Sequence, residues 1–272
     1  MRRNRDLDQQ SRARVIEEKL RPSAFPRSAS YDPEWALENT MGPNVLWLTE
    51  ALSEVMELRP GMRVLDLGCG KAISSIFLAK EFGVRVWATD LWIPAAENLR
   101  RVRAAGAEEM VFPIHAEAHA LPYAEGFFDA LVSIDAYHYF GTDDLYLGRH
   151  LLPLGRPGAR IGVIVPGLVH EFEGEPPAHL AATWAREWEF RSFHSAEWWR
   201  GHWARSGLVE VEAADLVPEG WRLWADSDEA SLELGFMPEQ FLETAPGWIE
   251  TVRTDAGRNL GFARIVARRR GT

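Results

Sequence analysis

The sequence predicts an α/β fold built on a mostly parallel sheet, and three observations carry that prediction. Residues 62–67 read as a short apolar strand, entered through the turn pair Pro60-Gly61. The strand runs into Gly68-Cys69-Gly70, and Ile73, Ile76, Phe77, Leu78 and Phe82 then follow at helical spacing from about Ala72. A strand, a tight glycine turn and a helix open a βαβ unit. Residues 127–134 are apolar almost throughout, as expected of a central parallel strand buried on both faces. With 272 residues the chain can hold one full α/β domain with an elaboration, but hardly two independent cores.

The remaining elements follow in order. Residues 1–21 read as a charged helical arm or a leader, and Pro22 and Pro26 break any helix there. Val45, Leu46, Leu48, Leu52, Val55 and Met56 suit a helix over 44–58 packed on the sheet. A second strand is predicted over 84–89, and Asp90 stands at its end. Pro94 opens the next helix and Gly106 ends it. A short third strand covers 110–114, and the loop His115-Ala116-Glu117-Ala118-His119-Ala120-Leu121-Pro122-Tyr123 leads to strand four. A helix is expected over 143–152, and a fifth strand over 160–165 that stops at Pro166-Gly167. Ser195 reads as the N-cap of a helix over 195–206, with Glu197 favourably placed in its first turn. Strand six is placed at 209–213, a helix at 226–243 and strand seven at 260–267.

Acid placement gives the first chemical hint. A carboxylate at the end of strand two sits where a nucleoside ribose lies, so Asp90 can accept hydrogen bonds from both vicinal hydroxyls. This strand end is expected to face solvent when the site is empty. Strand four exits into Asp135-Ala136-Tyr137-His138-Tyr139-Phe140, beyond the carboxyl ends of the strands, where ligands of such sheets bind.

Asp66, Gly68, Gly70 and Ala72 resemble motif I (D/E-x-G-x-G-x-G) of the class I S-adenosylmethionine-dependent methyltransferases, with Ala72 replacing the third glycine. The resemblance extends from about residue 60 to 166. Glu117-Ala118 with Leu121-Pro122-Tyr123 is similar to motif III, Phe128-Asp129-Ala130 to the strand-four motif, and Gly155-Arg156-Pro157-Gly158-Ala159 to the approach to strand five. The kinship is to the small-molecule type, resembling cyclopropane-fatty-acid-synthase-like methyltransferases. It implies a Rossmann-like seven-stranded sheet in which strand seven inserts antiparallel beside strand five, with helices on both faces. It implies S-adenosyl-L-methionine as cofactor, bound by Asp66, Gly68, Cys69, Gly70, Asp90, Leu91, Glu117, Ala118 and Asp135. Glu117 would accept from the adenine amino group and Ala118 would donate a backbone N–H to the ring. His138, with Tyr137 and Tyr139, would face the methyl group as general base or substrate clamp; packing is the competing reading. Residues 1–58 would form an arm and helical cover, with Tyr31, Trp35 and Asn44 as lid candidates. Residues 59–272 would form the methyltransferase domain, with cap insertions near 168–193 and 226–248.

Composition limits the partners. A net charge of −10 argues against a broad nucleic-acid surface, and the basic clusters Arg2-Arg3-Arg5 and Arg268-Arg269-Arg270 lie at the termini. No apolar run approaches the roughly 20 residues that span a bilayer. Residues 1–20 lack the apolar core of a signal peptide, so a cytoplasmic location is expected. One cysteine rules out an intramolecular disulfide and a cysteine-cluster metal site. His115, Glu117 and His119 lie on one loop without further ligands, and no metal is assigned to them. A small-molecule substrate is expected, and a homodimer is left open. The twelve tryptophans, crowded after Leu168, favour a flat apolar or cationic acceptor or fill the core of a cap. Two rival readings are lipid methylenation of the cyclopropane-synthase kind and a nicotinamide-dependent oxidoreductase. Asp66 before the glycines and the Glu117 loop count against the second.

Overall fold

The computed structural model describes residues 7–271; the basic cluster Arg2-Arg3-Arg5 lies outside them. Three helices come first. α1 (Gln9–Lys19) is capped by Asp8, whose carboxylate accepts the Ser11 N–H at 2.8 Å. α2 (Pro33–Asn39) starts on Asp32 with Pro33 in its first turn, where the missing N–H costs nothing. α3 (Val45–Met56) is capped by Asn44. The βα alternation then proceeds through β1 (Arg63–Leu67), α4 (Ile73–Phe82), β2 (Arg85–Asp90), α5 (Ala95–Ala104), β3 (Val111–His115), β4 (Phe128–Ile134) and β5 (Gly155–Leu168). The C-terminal third adds α6 (Ala178–Arg186), α7 (Ala196–Arg205), β6 (Val209–Leu216), α8 (Gly220–Leu234), α9 (Ala245–Asp255) and β7 (Leu260–Arg269).

The seven strands form one sheet in the order β3-β2-β1-β4-β5-β7-β6, with β7 antiparallel to both β5 and β6. This is the Rossmann-like sheet expected from the motifs. Successive strand residues point to opposite faces. In β1, Val64 packs with the layer of α3 and α4, and Asp66 points the same way to accept the Ser74 and Ser75 hydroxyls, each at 2.6 Å. Leu65 and Leu67 face the other layer, where Trp199 and Trp203 of α7 are fully buried. No helix among the described residues is long and apolar enough to cross a membrane.

Three expectations need correction. β5 does not stop at Pro166-Gly167 but continues to Leu168. Its pairing with β4 ends at Ile164, so Pro166 lies where only β7 flanks the strand and a missing N–H is tolerated. The helix expected over 143–152 is a short π turn, Leu147–Leu151, followed by a 3-10 turn, Leu152–Leu154. Pro153 cannot extend an α-helix here. The helix expected over 226–243 begins earlier and ends at Gly235, in the left-handed conformation with φ 83°. A separate helix, α9, follows it.

Candidate functional site

Two cavities meet at the carboxyl end of the sheet. The first, about 210 Å³ in volume, is lined by residues 67–71 after β1, residues 89–92 at the end of β2, residues 116–118 and residues 134–136 after β4. The second, about 280 Å³, lies beside it and is walled by residues around α6, α8 and α9. Both are bordered by Thr40, Met41, Gly42, Pro43, Asp135 and Tyr139.

The floor of the first cavity is a glycine turn held by the protein itself. Gly68 and Cys69 donate their N–H groups to the Thr89 carbonyl at 2.8 and 3.1 Å, and Gly70 donates to Asp90 Oδ2 at 2.8 Å. Gly68 has φ +73°, and a Cβ there would lie 2.3 Å from that of Ala136, so only glycine fits. Ala72, the substitute for the third glycine, also adopts the left-handed conformation, with φ 62°.

Asp90 is 7 % exposed rather than solvent-facing. Beyond the Gly70 bond, its Oδ1 accepts the N–H groups of Trp92 and Ile93 at 2.7 and 2.9 Å. A carboxylate offers about four acceptor sites, so roughly one remains on Asp90. Leu91 and Trp92 are exposed at the rim. Glu117 and Ala118, in the loop after β3, line the same cavity. Glu117 is tied to His119, with Oε1 2.6 Å from Nδ1, and this hydrogen bond holds its carboxyl below the usual range. Asp66 is fully buried beneath the turn and outside the cavity lining. Burial raises its pKa to about 6 against the opposing pull of Ser74 and Ser75. Cys69 lines the cavity, and burial pushes its thiol up, which keeps it unreactive.

The strand-four exit divides its residues. Asp135 sits in the left-handed conformation with φ 57°, uncommon for a residue with a Cβ. It borders both cavities, and burial, then Glu189 and Asp228, raise its pKa. Tyr139 also borders both, and its hydroxyl donates to Glu189 Oε2 at 3.1 Å. His138 lines only the second cavity. It is 1 % exposed, its Nδ1 has no hydrogen-bond partner, and burial lowers its pKa to about 3. Tyr137 lines neither cavity and packs against Tyr146, Trp199 and Trp203.

The lid candidates lie elsewhere. Tyr31 donates to Glu81, Trp35 stacks on Tyr31, and Asn44 caps α3. The segment that covers the junction is residues 39–43 instead, where a Cβ on Gly42 would fall 2.4 Å from Asp135 Oδ2. Sequence reasoning also missed Glu189 and Asp228. Burial raises the pKa of both, that of Asp228 to about 7.

Residues 64–155 match the family described as "Methyltransferase domain". Methyltransferase GfsG of Streptomyces halstedii is 32% identical over 117 residues, covering 43% of this chain and 42% of that protein. Demethylmenaquinone methyltransferase of Mycobacterium bovis is 28% identical over 196 residues, covering 71% of this chain and 74% of that protein. The chain therefore spans under half the length of the first relative and about three quarters of the second. Among solved structures, the [4+2]-cyclase SpnF superposes with a TM-score of 0.63 at 20% identity, covering 83% of this chain and 81% of that one. The fold is the Rossmann-like methyltransferase fold, and the family match with the two relatives supports S-adenosylmethionine-dependent methyltransferase activity in general.

Proposed function

We propose that this protein moves a methyl group from S-adenosyl-L-methionine to an O, N, S or C nucleophile of a small aromatic or amphipathic molecule. The observation that carries the proposal is the pair of cavities joined at Asp135 and Tyr139. One is a cradle at the strand ends and the other an aromatic chamber, so donor and acceptor can meet at a single point. The residues present fit the cofactor. A cradle that a Cβ at Gly68 would disturb, an acid with a remaining acceptor site at Asp90, the apolar Leu91 and the Glu117-Ala118 wall suit an adenosine. When bound, S-adenosylmethionine supplies a sulfonium methyl that is already activated for displacement.

The chain then has mainly to align the nucleophile and exclude water. Residues 39–43 and Tyr139 close the junction. Asp135 is placed to take a proton from the acceptor, and a raised pKa suits a carboxylate for that task. Burial lowers the His138 pKa to about 3, which makes the ring a weak proton acceptor, and it lines only the acceptor chamber; both favour a clamp over a base.

The glycine turn also bears on the nicotinamide rival. A pyrophosphate is held by free N–H groups at a glycine turn and helix N-terminus. Here the N–H groups of Gly68, Cys69 and Gly70 all have protein acceptors. Calorimetry with S-adenosylhomocysteine and NADH tests the proposal. Micromolar binding of the first and none of the second is expected. NADH binding without S-adenosylhomocysteine binding would overturn it.

A further inference from the structure

The second cavity is unusual in the charges it gathers. Three separate elements each contribute a carboxylate to it: Asp135 from the β4 exit, Glu189 from the 3-10 turn Trp188–Ser192, and Asp228 from α8. Among the described residues lining it, the only cation is Arg186, which is largely exposed and already paired with Glu187 at 2.8 Å. Asp135, Glu189 and Asp228 therefore face a shared space with no cation of the protein between them. Half-buried carboxylates without a cationic partner are costly to ionise, and each raises the cost of ionising the next.

A second, independent feature points the same way. His138 lines this cavity, is 1 % exposed, and leaves Nδ1 without a partner. A buried ring nitrogen that the protein leaves without a hydrogen bond calls for a partner, and a water or ligand in the cavity that His138 lines can supply it. The walls between these polar groups are aromatic, including Tyr139, Phe193, Trp224 and Trp248. Indole and phenol faces attract cations, most strongly when desolvated. Carboxylates on several sides with aromatic faces between them form a receptor for positive charge on an apolar body.

We propose that the second cavity recognises an acceptor bearing an ammonium group on an aromatic or apolar frame. This rests on the methyltransferase reading for the term acceptor, but the recognition itself is a property of the cavity. The ammonium would lie among Asp135, Glu189 and Asp228, and the frame against the indole and phenyl faces. The reacting atom can be this nitrogen or another nucleophile of the same molecule that reaches the junction.

Calorimetry on the intact protein saturated with S-adenosylhomocysteine, with three probes of matched shape, tests this. The probes are phenethylamine, phenethyl alcohol and 3-phenylpropionate. The amine should bind at least about tenfold more tightly than the alcohol, and the carboxylate should not bind. In Asp228→Asn the preference for the amine over the alcohol should shrink, with S-adenosylhomocysteine affinity unchanged. Wild-type protein gives a second readout. The groups facing the site are Asp135, His138, Tyr139, Arg186, Glu187, Glu189 and Asp228. A bound cation favours ionised carboxylates, so amine affinity should rise with pH through about 7, where Asp228 titrates. Equal or tighter binding of the alcohol, binding of the carboxylate, or no binding of the amine would overturn the proposal. Failure to bind S-adenosylhomocysteine at all would instead remove the reading of the first cavity, whatever the probes do.

Discussion

The two cavities are held in opposite ways. In the first, polar groups already have partners: Asp90 takes three backbone N–H groups, Glu117 takes His119, and the glycine turn donates to Thr89 and Asp90. In the second, His138 Nδ1 has no partner, and Asp135 and Asp228 have raised pKa values through burial. The first is a preorganised cradle whose shape is fixed before anything binds. The second gathers carboxylates that no protein cation neutralises, a charge that a cationic ligand would relieve. Damage to the first should therefore cost both fold and cofactor binding. Damage to the second should cost acceptor handling and spare, or even improve, the stability of the empty protein.

The largest effect is expected at Gly68. Valine there would place a Cβ 2.3 Å from that of Ala136 at a positive φ. Gly68→Val should lose about 2–4 kcal/mol in urea unfolding and bind no S-adenosylhomocysteine. A stable, binding-competent variant would mean that the turn is not rigid.

Asp90→Ala comes next. It removes the acceptor of three backbone N–H groups, so it should destabilise by about 1–3 kcal/mol while weakening S-adenosylhomocysteine at least about tenfold. Unfolding and calorimetry on one sample would show whether the two losses travel together. A loss of affinity alone would mean that the N–H groups find other partners.

His138→Ala probes the other chamber. Cofactor affinity should be unchanged, and KM for the acceptor should rise with kcat nearly constant, as when uniform binding is removed. If His138 were the base, turnover would fall by about 10²–10⁴-fold instead.

Asp228→Asn should leave the cofactor site untouched and change stability in the opposite direction. Burial raises the pKa of Asp228 from 3.8 to about 7, so the folded state holds more protons than the unfolded state across that range. Its contribution to stability is present below pH 3.8 and lost as pH rises through about 7. Asparagine carries no such penalty, so above that pH the empty variant should be more stable by about 1–3 kcal/mol. A variant that is less stable at alkaline pH would contradict the cavity's stored charge.

The cradle was legible because its signals are local. Glycines that need positive φ, a carboxylate at a strand end and a Leu-Pro-Tyr loop lie within a few residues of the atoms they position. The chamber is assembled from residues near 40, 138, 189, 228 and 248, brought together only by the fold. Asp228 sits among Asp226, Glu229 and Glu233 in α8, and nothing in its neighbours distinguishes it. Its companions show the contrast: Glu229 pairs with Arg253 and Lys19, while Asp228 turns inward. Adjacency in the sequence groups Tyr137 with His138, but consecutive residues of a 3-10 turn point in different directions. Tyr137 is consequently packed against Trp199 and Trp203, while His138 reaches the chamber.

The central claim, that a methyl donor in the first cavity presents its reactive end to the second, is tested most directly by a crystal structure with S-adenosylhomocysteine. The account predicts the adenosine between Leu91 and the Glu117-Ala118 wall, a ribose hydroxyl on Asp90, and the sulfur at the junction beside Asp135 and Tyr139. An adenosine in the aromatic chamber, or a sulfur turned away from Asp135, would contradict it.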